Sequence, residues 1–171
     1  MTERLYLIGE ITEQVAYDFL IALDKIHARA PKAPIEVVIN SQGGGVADGM
    51  SVFSELEGLS ERGGGTHRIT TKVRGMAGSM ATMVLQAGDW RVMGRGDFTV
   101  WHEARMEFHS APLSFIRDEI AQWEAHDRLL ASIIRERSTL TWPQIRELHG
   151  PSDRIVLADE ALQFGLIDEI A

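Results

Sequence analysis

Gly75-Met-Ala-Gly-Ser-Met80 is the stretch that decides how this chain is read. A β-branched run, Ile69-Thr-Thr-Lys-Val73, leads into it, and an apolar segment, Ala81-Thr-Met-Val-Leu85, leaves it. Ser79 therefore falls where a strand is expected to turn into a helix. Ala77 and Ala81, two positions to either side, are small, as a tight strand-to-helix turn requires. A helix start also leaves backbone N–H groups free to face developing negative charge. Taken alone, the stretch fits two roles. Ser79 is either an N-capping serine or a nucleophile displayed on a sharp turn.

Upstream, the same strand–helix alternation recurs. Leu5-Tyr-Leu-Ile8 reads as a strand ending at Gly9, and Thr12 as the cap of a helix whose apolar face is Val15, Phe19, Ala22, Leu23 and Ile26. Pro31 and Pro34 bracket the connection to a buried strand, Ile35-Glu-Val-Val-Ile39. Asn40-Ser-Gln-Gly-Gly-Gly45 follows as a glycine turn before a second helix with Val46, Met50, Phe53, Leu56 and Leu59 on its apolar face. Such units predict an α/β fold with functional loops at the carboxyl ends of the strands. Gly63-Gly-Gly65 reads as a connector after that helix.

Downstream, Arg91-Val-Met93 and Phe98-Thr-Val-Trp101 read as strands around a turn at Gly94-Arg-Gly96, with His102 at the end of the second. Pro112 opens the longest helix, whose track runs Ile116, Ile120, Trp123, Asp127, Leu130, Ile134. Asp127 breaks that apolar face, and no feature of the sequence explains it. Thr141-Trp-Pro-Gln144 fits a capping box. A short helix spans Ala158 to Phe164, and Leu166-Ile167 reads as a closing strand.

The 171 residues fit one domain, 1–171, with 44% hydrophobic and 25% charged residues. A net charge of −8 argues against nucleic acid or an anionic membrane surface as the partner. The absence of cysteine excludes disulfides, thiol catalysis and thiolate metal sites. Met1-Thr-Glu-Arg-Leu-Tyr6 lacks the regions of a signal peptide, and no segment has the ~20 apolar residues of a membrane span, so a soluble cytoplasmic protein is expected.

Ser79, His102 and Asp153 supply a hydroxyl, an imidazole and a carboxylate in loop or element-end positions. Nucleophilic catalysis needs a base within reach of the hydroxyl and a carboxylate that holds the imidazole in one tautomer. Gly43-Gly-Gly45 could bring backbone N–H groups close to developing charge, with the Met80 N–H as a second donor; it could equally be a plain tight connection. It has neither the lysine of a P-loop nor G-x-G-x-x-G spacing. His27, His67, His109, His126 and His149 read as surface or capping residues, since none falls into a metal-binding spacing. Neither a metal nor a cofactor is expected.

Three separated motifs carry a resemblance to the proteolytic subunit of the Clp protease (the ClpP family), its phage and prophage types included. Asn40-Ser-Gln-Gly-Gly-Gly45 resembles the family's N-S-P-G-G turn, and Gly75-Met-Ala-Gly-Ser-Met80 its G-x-A-A-S-M nucleophile turn. Asp153-Arg-Ile-Val-Leu-Ala-Asp-Glu-Ala161, with Gly165-Leu-Ile-Asp168, resembles D-R-x-L-S-A-x-E-A followed by Y-G-L-V-D. The resemblance covers about Arg4 to Ile170. It implies the ClpP/crotonase-like α/β fold of repeated ββα-type units with a protruding strand–helix handle, here about 103–138.

By the same resemblance Ser79 is the nucleophile, His102 the general base and Asp153 the orienting acid. Gly44 and Met80 supply the oxyanion hole. An extended polypeptide substrate lies between Gly43–Gly45 and the segment Glu103-Ala104. A homo-oligomer of two stacked seven-membered rings encloses the sites, and an ATP-driven AAA+ unfoldase feeds it. Gln42 stands where the family has proline, and Glu103-Ala104 where it has Gln-Pro. The chain opens at its first strand, where the family carries an axial loop and a helix. Two further readings are a non-catalytic ring subunit and an acyl-CoA thioester enzyme of the crotonase fold.

Overall fold

The computed structural model describes residues 1–105 and 109–171. In chain order its elements are β1 (Glu3–Ile11), α1 (Glu13–Arg29), β2 (Ile35–Gly44), α2 (Val46–Leu59), β3 (Ile69–Gly78), α3 (Met80–Gln86) and β4 (Trp90–Met93). They continue with β5 (Phe98–Trp101), α4 (Leu113–Arg137), α5 (Trp142–Leu148), β6 (Arg154–Leu157), α6 (Ala158–Gln163) and β7 (Glu169–Ile170). The strands β1, β2, β3, β4 and β7 lie side by side, all parallel. Helices between successive strands produce that arrangement, because parallel neighbours need a crossover. The α/β class expected from the sequence is the one observed.

β3 is the strand on which the site depends. Its first half, Thr70–Val73, pairs with β4, and its second half, Met76–Gly78, pairs with β5 along the same edge. The edge changes partner around Gly75, whose φ of +99° suits glycine and whose N–H donates to Asp97 Oδ1 at 2.8 Å. β5 then pairs antiparallel with β6. Every residue of α3 is buried, so this short helix is apolar without a helical stripe and lies inside the molecule. It contacts α2, β2 and α4, and the buried core it belongs to includes Val52, Phe53 and Leu56, Ile35, Val37 and Ile39, and Leu130 and Ile134. The rest of α4 is half-buried or exposed, including Leu113, Phe115, Ile120 and Leu129, so the helix projects by its N-terminal part.

A polar cluster ties the far end of the sheet together. Asp168 accepts from the Arg91 Nε at 2.9 Å and Nη2 at 2.7 Å, and Arg91 Nη1 also donates to Gln86 Oε1 and the Arg137 carbonyl. Arg137 in turn donates to the carbonyls of Gln86 and Gly88. Burial first, and then repulsion from Arg91, bring the Arg137 guanidinium down to about 10. Burial alone would raise the Asp168 carboxyl, but the hydrogen bonds and charge of Arg91, helped by Arg137, hold it below the ordinary range.

Several expectations need correction. The Asn40–Gly44 stretch is not a turn. It continues β2, which runs to Gly44 with a register shift against β3 between Ile39 and Ser41. β1 likewise passes through Gly9, where φ is +78° and its register against β2 shifts. The closing strand is Glu169–Ile170 rather than Leu166-Ile167, which are buried in the core. β6 was not expected at all. His67, expected on the surface, is fully buried: its Nδ1 donates to the Ala33 carbonyl at 2.7 Å, and its Nε2 lies 2.9 Å from His27 Nδ1. The strand part of the expected handle falls partly on residues 106–108, outside the described residues; those on either side are irregular. The Thr12 cap and the Thr141/Gln144 capping box form as read.

Candidate active site

Ser79 occupies the single residue between β3 and α3 at φ 48°, ψ −125°. A non-glycine residue there carries about 1–3 kcal/mol of backbone strain, sustained only where surrounding contacts fix it. Those contacts are present. The Ser79 N–H donates to the Val100 carbonyl of β5 at 2.8 Å, and its carbonyl accepts from the Thr82 N–H and hydroxyl. The Ser79 hydroxyl makes no capping hydrogen bond and, among the described residues, has no partner. The capping role therefore fails for the side chain, although Ser79 does stand at the N-cap position. The turn sets the Ser79 hydroxyl at the carboxyl end of β3.

Gly43 closes in on this turn from β2. A β-carbon built on it would stand 2.6 Å from the Gly78 carbonyl oxygen, 2.7 Å from Ser79 Cβ and 2.9 Å from the Met80 nitrogen. Its own φ is +95°, so space and backbone both demand glycine. The Gly43 N–H is engaged by Ser41 Oγ at 3.0 Å, which removes it as a donor to a ligand. Gly44 packs against the β1 backbone at Ile11 and lines the same groove as Ser79. Met80 opens α3, where an N–H lacks an intrahelical acceptor. Gly45 is the residue before α2 and is outside the groove lining among the described residues.

His102 follows β5 directly, one strand away from the Ser79 turn, and the two line the same groove. Its Nδ1 lies 2.6 Å from the Glu103 carbonyl oxygen. A carbonyl can only accept, so Nδ1 carries the proton and Nε2 holds the lone pair, the tautomer a general base needs. Asp153 does not contact His102. It is exposed and ion-paired with Arg105. The antiparallel ladder ends with Trp101 opposite Arg154, and His102 and Asp153 are the residues that adjoin this last pair. The Glu103 N–H donates to the Gly150 carbonyl at 3.0 Å, which holds the two loops together.

Two clefts meet at Ser79 and His102. The open groove runs along Glu10, Gln42, Gly43, Gly44 and Ala104 toward Trp123. The narrower cleft is lined by Met80, Met83, Trp101 and Leu130 and also by Asp127 and His149; Asp127 lines the adjoining surface as well. Glu103 and Ala104, the expected substrate segment, line it as well.

Asp127 and His149 are the residues that sequence reading missed. His149, expected at the surface, has a side chain only 10% exposed; its ring stacks on Trp101 at 5.7 Å between centroids. Its Nδ1 is 3.9 Å from Asp127 Oδ1, an ion-pair separation too long for a direct hydrogen bond. His149 is the main influence holding the Asp127 carboxyl below its ordinary range, over the opposing cost of burial, with help from the charges of His126 and Arg128. The break in the apolar face of α4 was the available signal. Among the described residues no group of three His, Asp or Glu side chains is arranged to hold a metal ion, and no helix is long and apolar enough to cross a membrane.

With that geometry in view, comparison with known proteins is decisive for the family. The family model for Clp protease matches residues 1–171, the whole chain. The protein belongs to the Clp protease family. A curated relative, the ATP-dependent Clp protease proteolytic subunit 2 of Tropheryma whipplei (strain Twist), is 28% identical over 178 residues. That alignment covers 99% of this chain and 92% of the relative. The Clp protease motifs read from the sequence now have structural places: the nucleophile-type turn ends β3, the glycine stretch ends β2, and the Asp153 motif leads into β6.

Proposed function

We propose that the protein is a serine endopeptidase in which Ser79 attacks the peptide carbonyl, His102 takes its proton, and Asp153 orients His102. The observation that carries this reading is Ser79 itself: a strained, unbonded hydroxyl beside a histidine whose Nε2 is free to accept. Ser79 Oγ adds to the carbonyl carbon while its proton passes to His102 Nε2, and the resulting imidazolium protonates the leaving amine. Water then repeats the sequence on the acyl-enzyme. The Met80 and Gly44 N–H groups stabilise the oxyanion. For Asp153 to act, it must leave Arg105, and His102 Nδ1 must exchange the Glu103 carbonyl for the carboxylate. Substrate lies extended in the groove between Gly43–Gly45 and Glu103-Ala104, held by main-chain hydrogen bonds.

The family adds the setting: a cytoplasmic homo-oligomer of stacked, seven-membered rings enclosing the sites and fed by an AAA+ unfoldase, with ATP consumed by that partner. The relative's printed name, an ATP-dependent proteolytic subunit, supports that setting. A non-catalytic ring subunit is favoured by one observation, the Asp153–Arg105 pair that leaves the carboxylate off His102. Fluorophosphonate labelling of the assembled protein with peptide mapping separates the two. Label on Ser79, lost in His102→Ala, is expected; absence of label, or label indifferent to His102, overturns the triad.

A further inference from the structure

We propose that Asp127, in the lining of the narrow cleft beside Ser79, selects substrates with lysine or arginine on the acyl side of the cut bond (the P1 residue). The inference rests on the peptidase reading above. The cleft begins at the candidate nucleophile, so a side chain next to the scissile carbonyl is the group placed to enter it. Its walls are Met80, Met83, Trp101 and Leu130, apolar surfaces that suit a long aliphatic stem. Polar groups line the same cleft: Asp127, His149 and Glu103. A slim stem with a cationic head suits that combination of apolar wall and carboxylate.

A purely structural Asp127–His149 pair explains less. The two side chains stop at 3.9 Å, short of the close hydrogen bond that a settled pair would form, and the Asp127 side chain is 44% exposed. The Trp101 ring holds His149 in place, so the histidine backs the carboxylate rather than closing over it. His126 and Arg128 are the other charged or titratable neighbours of Asp127, and Arg128 lines the adjoining surface with Glu124 and Trp123. These keep the carboxylate ionised, ready for an incoming ammonium or guanidinium.

The test is kcat/KM of the assembled protein on fluorogenic peptides that differ only at P1: Lys, Arg, Leu and Met. Wild type is expected to favour Lys and Arg over Leu by at least ~10-fold, the scale of a charge-assisted hydrogen bond. Asp127→Asn should reduce that ratio at least ~10-fold, and Asp127→Leu should invert it. A ratio taken within one variant is unaffected by partial misfolding. Equal or better cleavage of the Leu peptide by wild type, or an unchanged ratio in Asp127→Asn, overturns the specificity and leaves the peptidase reading intact. Label at Ser79 with none of the four peptides cleaved does the same. No cleavage and no Ser79 label overturns both.

Discussion

Gly43 lies against Ser79 so closely that a β-carbon on it would come within 2.7 Å of the serine Cβ. The end of β2 therefore acts as a wall for the turn at the end of β3. Gly43→Ala is expected to displace that turn, because the obstructing atoms include backbone at Gly78 and Met80 and cannot rotate away. Peptidase kcat/KM should fall ~10²-fold or more, since a misplacement of about 1 Å costs that much. Thermal melting should show a loss of about 1–3 kcal/mol. Activity within a few-fold of wild type would mean that the two strands part freely.

Strain at Ser79 separates stability from activity. Ser79→Ala and Ser79→Gly should each lower kcat/KM by ~10³-fold or more, because both remove the nucleophile. Glycine relaxes the φ of 48° and alanine does not. The glycine variant should therefore be the more stable by about 1 kcal/mol, after allowing for its greater unfolded-state entropy. Paired denaturant melts read this difference, and an alanine variant at least as stable as the glycine one counts against stored strain.

In the proposed triad, Arg105 would compete with His102 for Asp153. Arg105→Ala removes the present partner of that carboxylate without touching Ser79 or His102. Fluorophosphonate labelling of Arg105→Ala should proceed at or above the wild-type rate, whereas Asp153→Ala should slow it ~10²-fold or more. Slowing of both variants by the same factor would indicate that the ion pair, rather than an Asp153–His102 contact, supports the site.

Acid should unfasten the Arg91–Asp168 cluster. The Asp168 carboxyl is held below its unfolded value, so the folded state binds fewer protons than the unfolded chain in that interval. Its stabilisation is present above the ordinary carboxylate range and is lost as pH falls through the lowered folded value. Asp168→Asn should cost about 1–3 kcal/mol at neutral pH and leave a flatter acid limb in a pH series of melts. An unchanged limb would assign acid sensitivity to other carboxylates.

Local pattern was legible from the sequence and distant partners were not. The apolar stripe of α1, the Thr12 cap and the Thr141/Gln144 box follow from neighbours a few residues apart, and they form as read. Ser79 was placed correctly because a β-branched run meets an apolar one at that point. The Asn40–Gly45 stretch was misread because its glycines look like a turn. What they answer is close approach by other backbone, to β1 at Gly44 and to the Ser79 turn at Gly43. β6 depends on pairing with β5, more than fifty residues earlier, and carries little periodicity of its own. Asp127 was visibly out of place on α4, but its partner His149 is on another element. Helical spacing gives the face a residue occupies and not what stands opposite.

The shared edge of β3 has a mechanical consequence. The Ser79 N–H is fastened to Val100, and His102 is two residues further along the chain, immediately past the end of β5. The proposed nucleophile and base thus both adjoin one ladder, Met76–Gly78 against Phe98–Val100. A slip of one residue there would carry the imidazole about 3.3 Å along the strand and turn alternate side chains to the other face. Breathing of α4 can widen or narrow the cleft without unseating the pair. Only shear between β3 and β5 would put the serine and the histidine out of step.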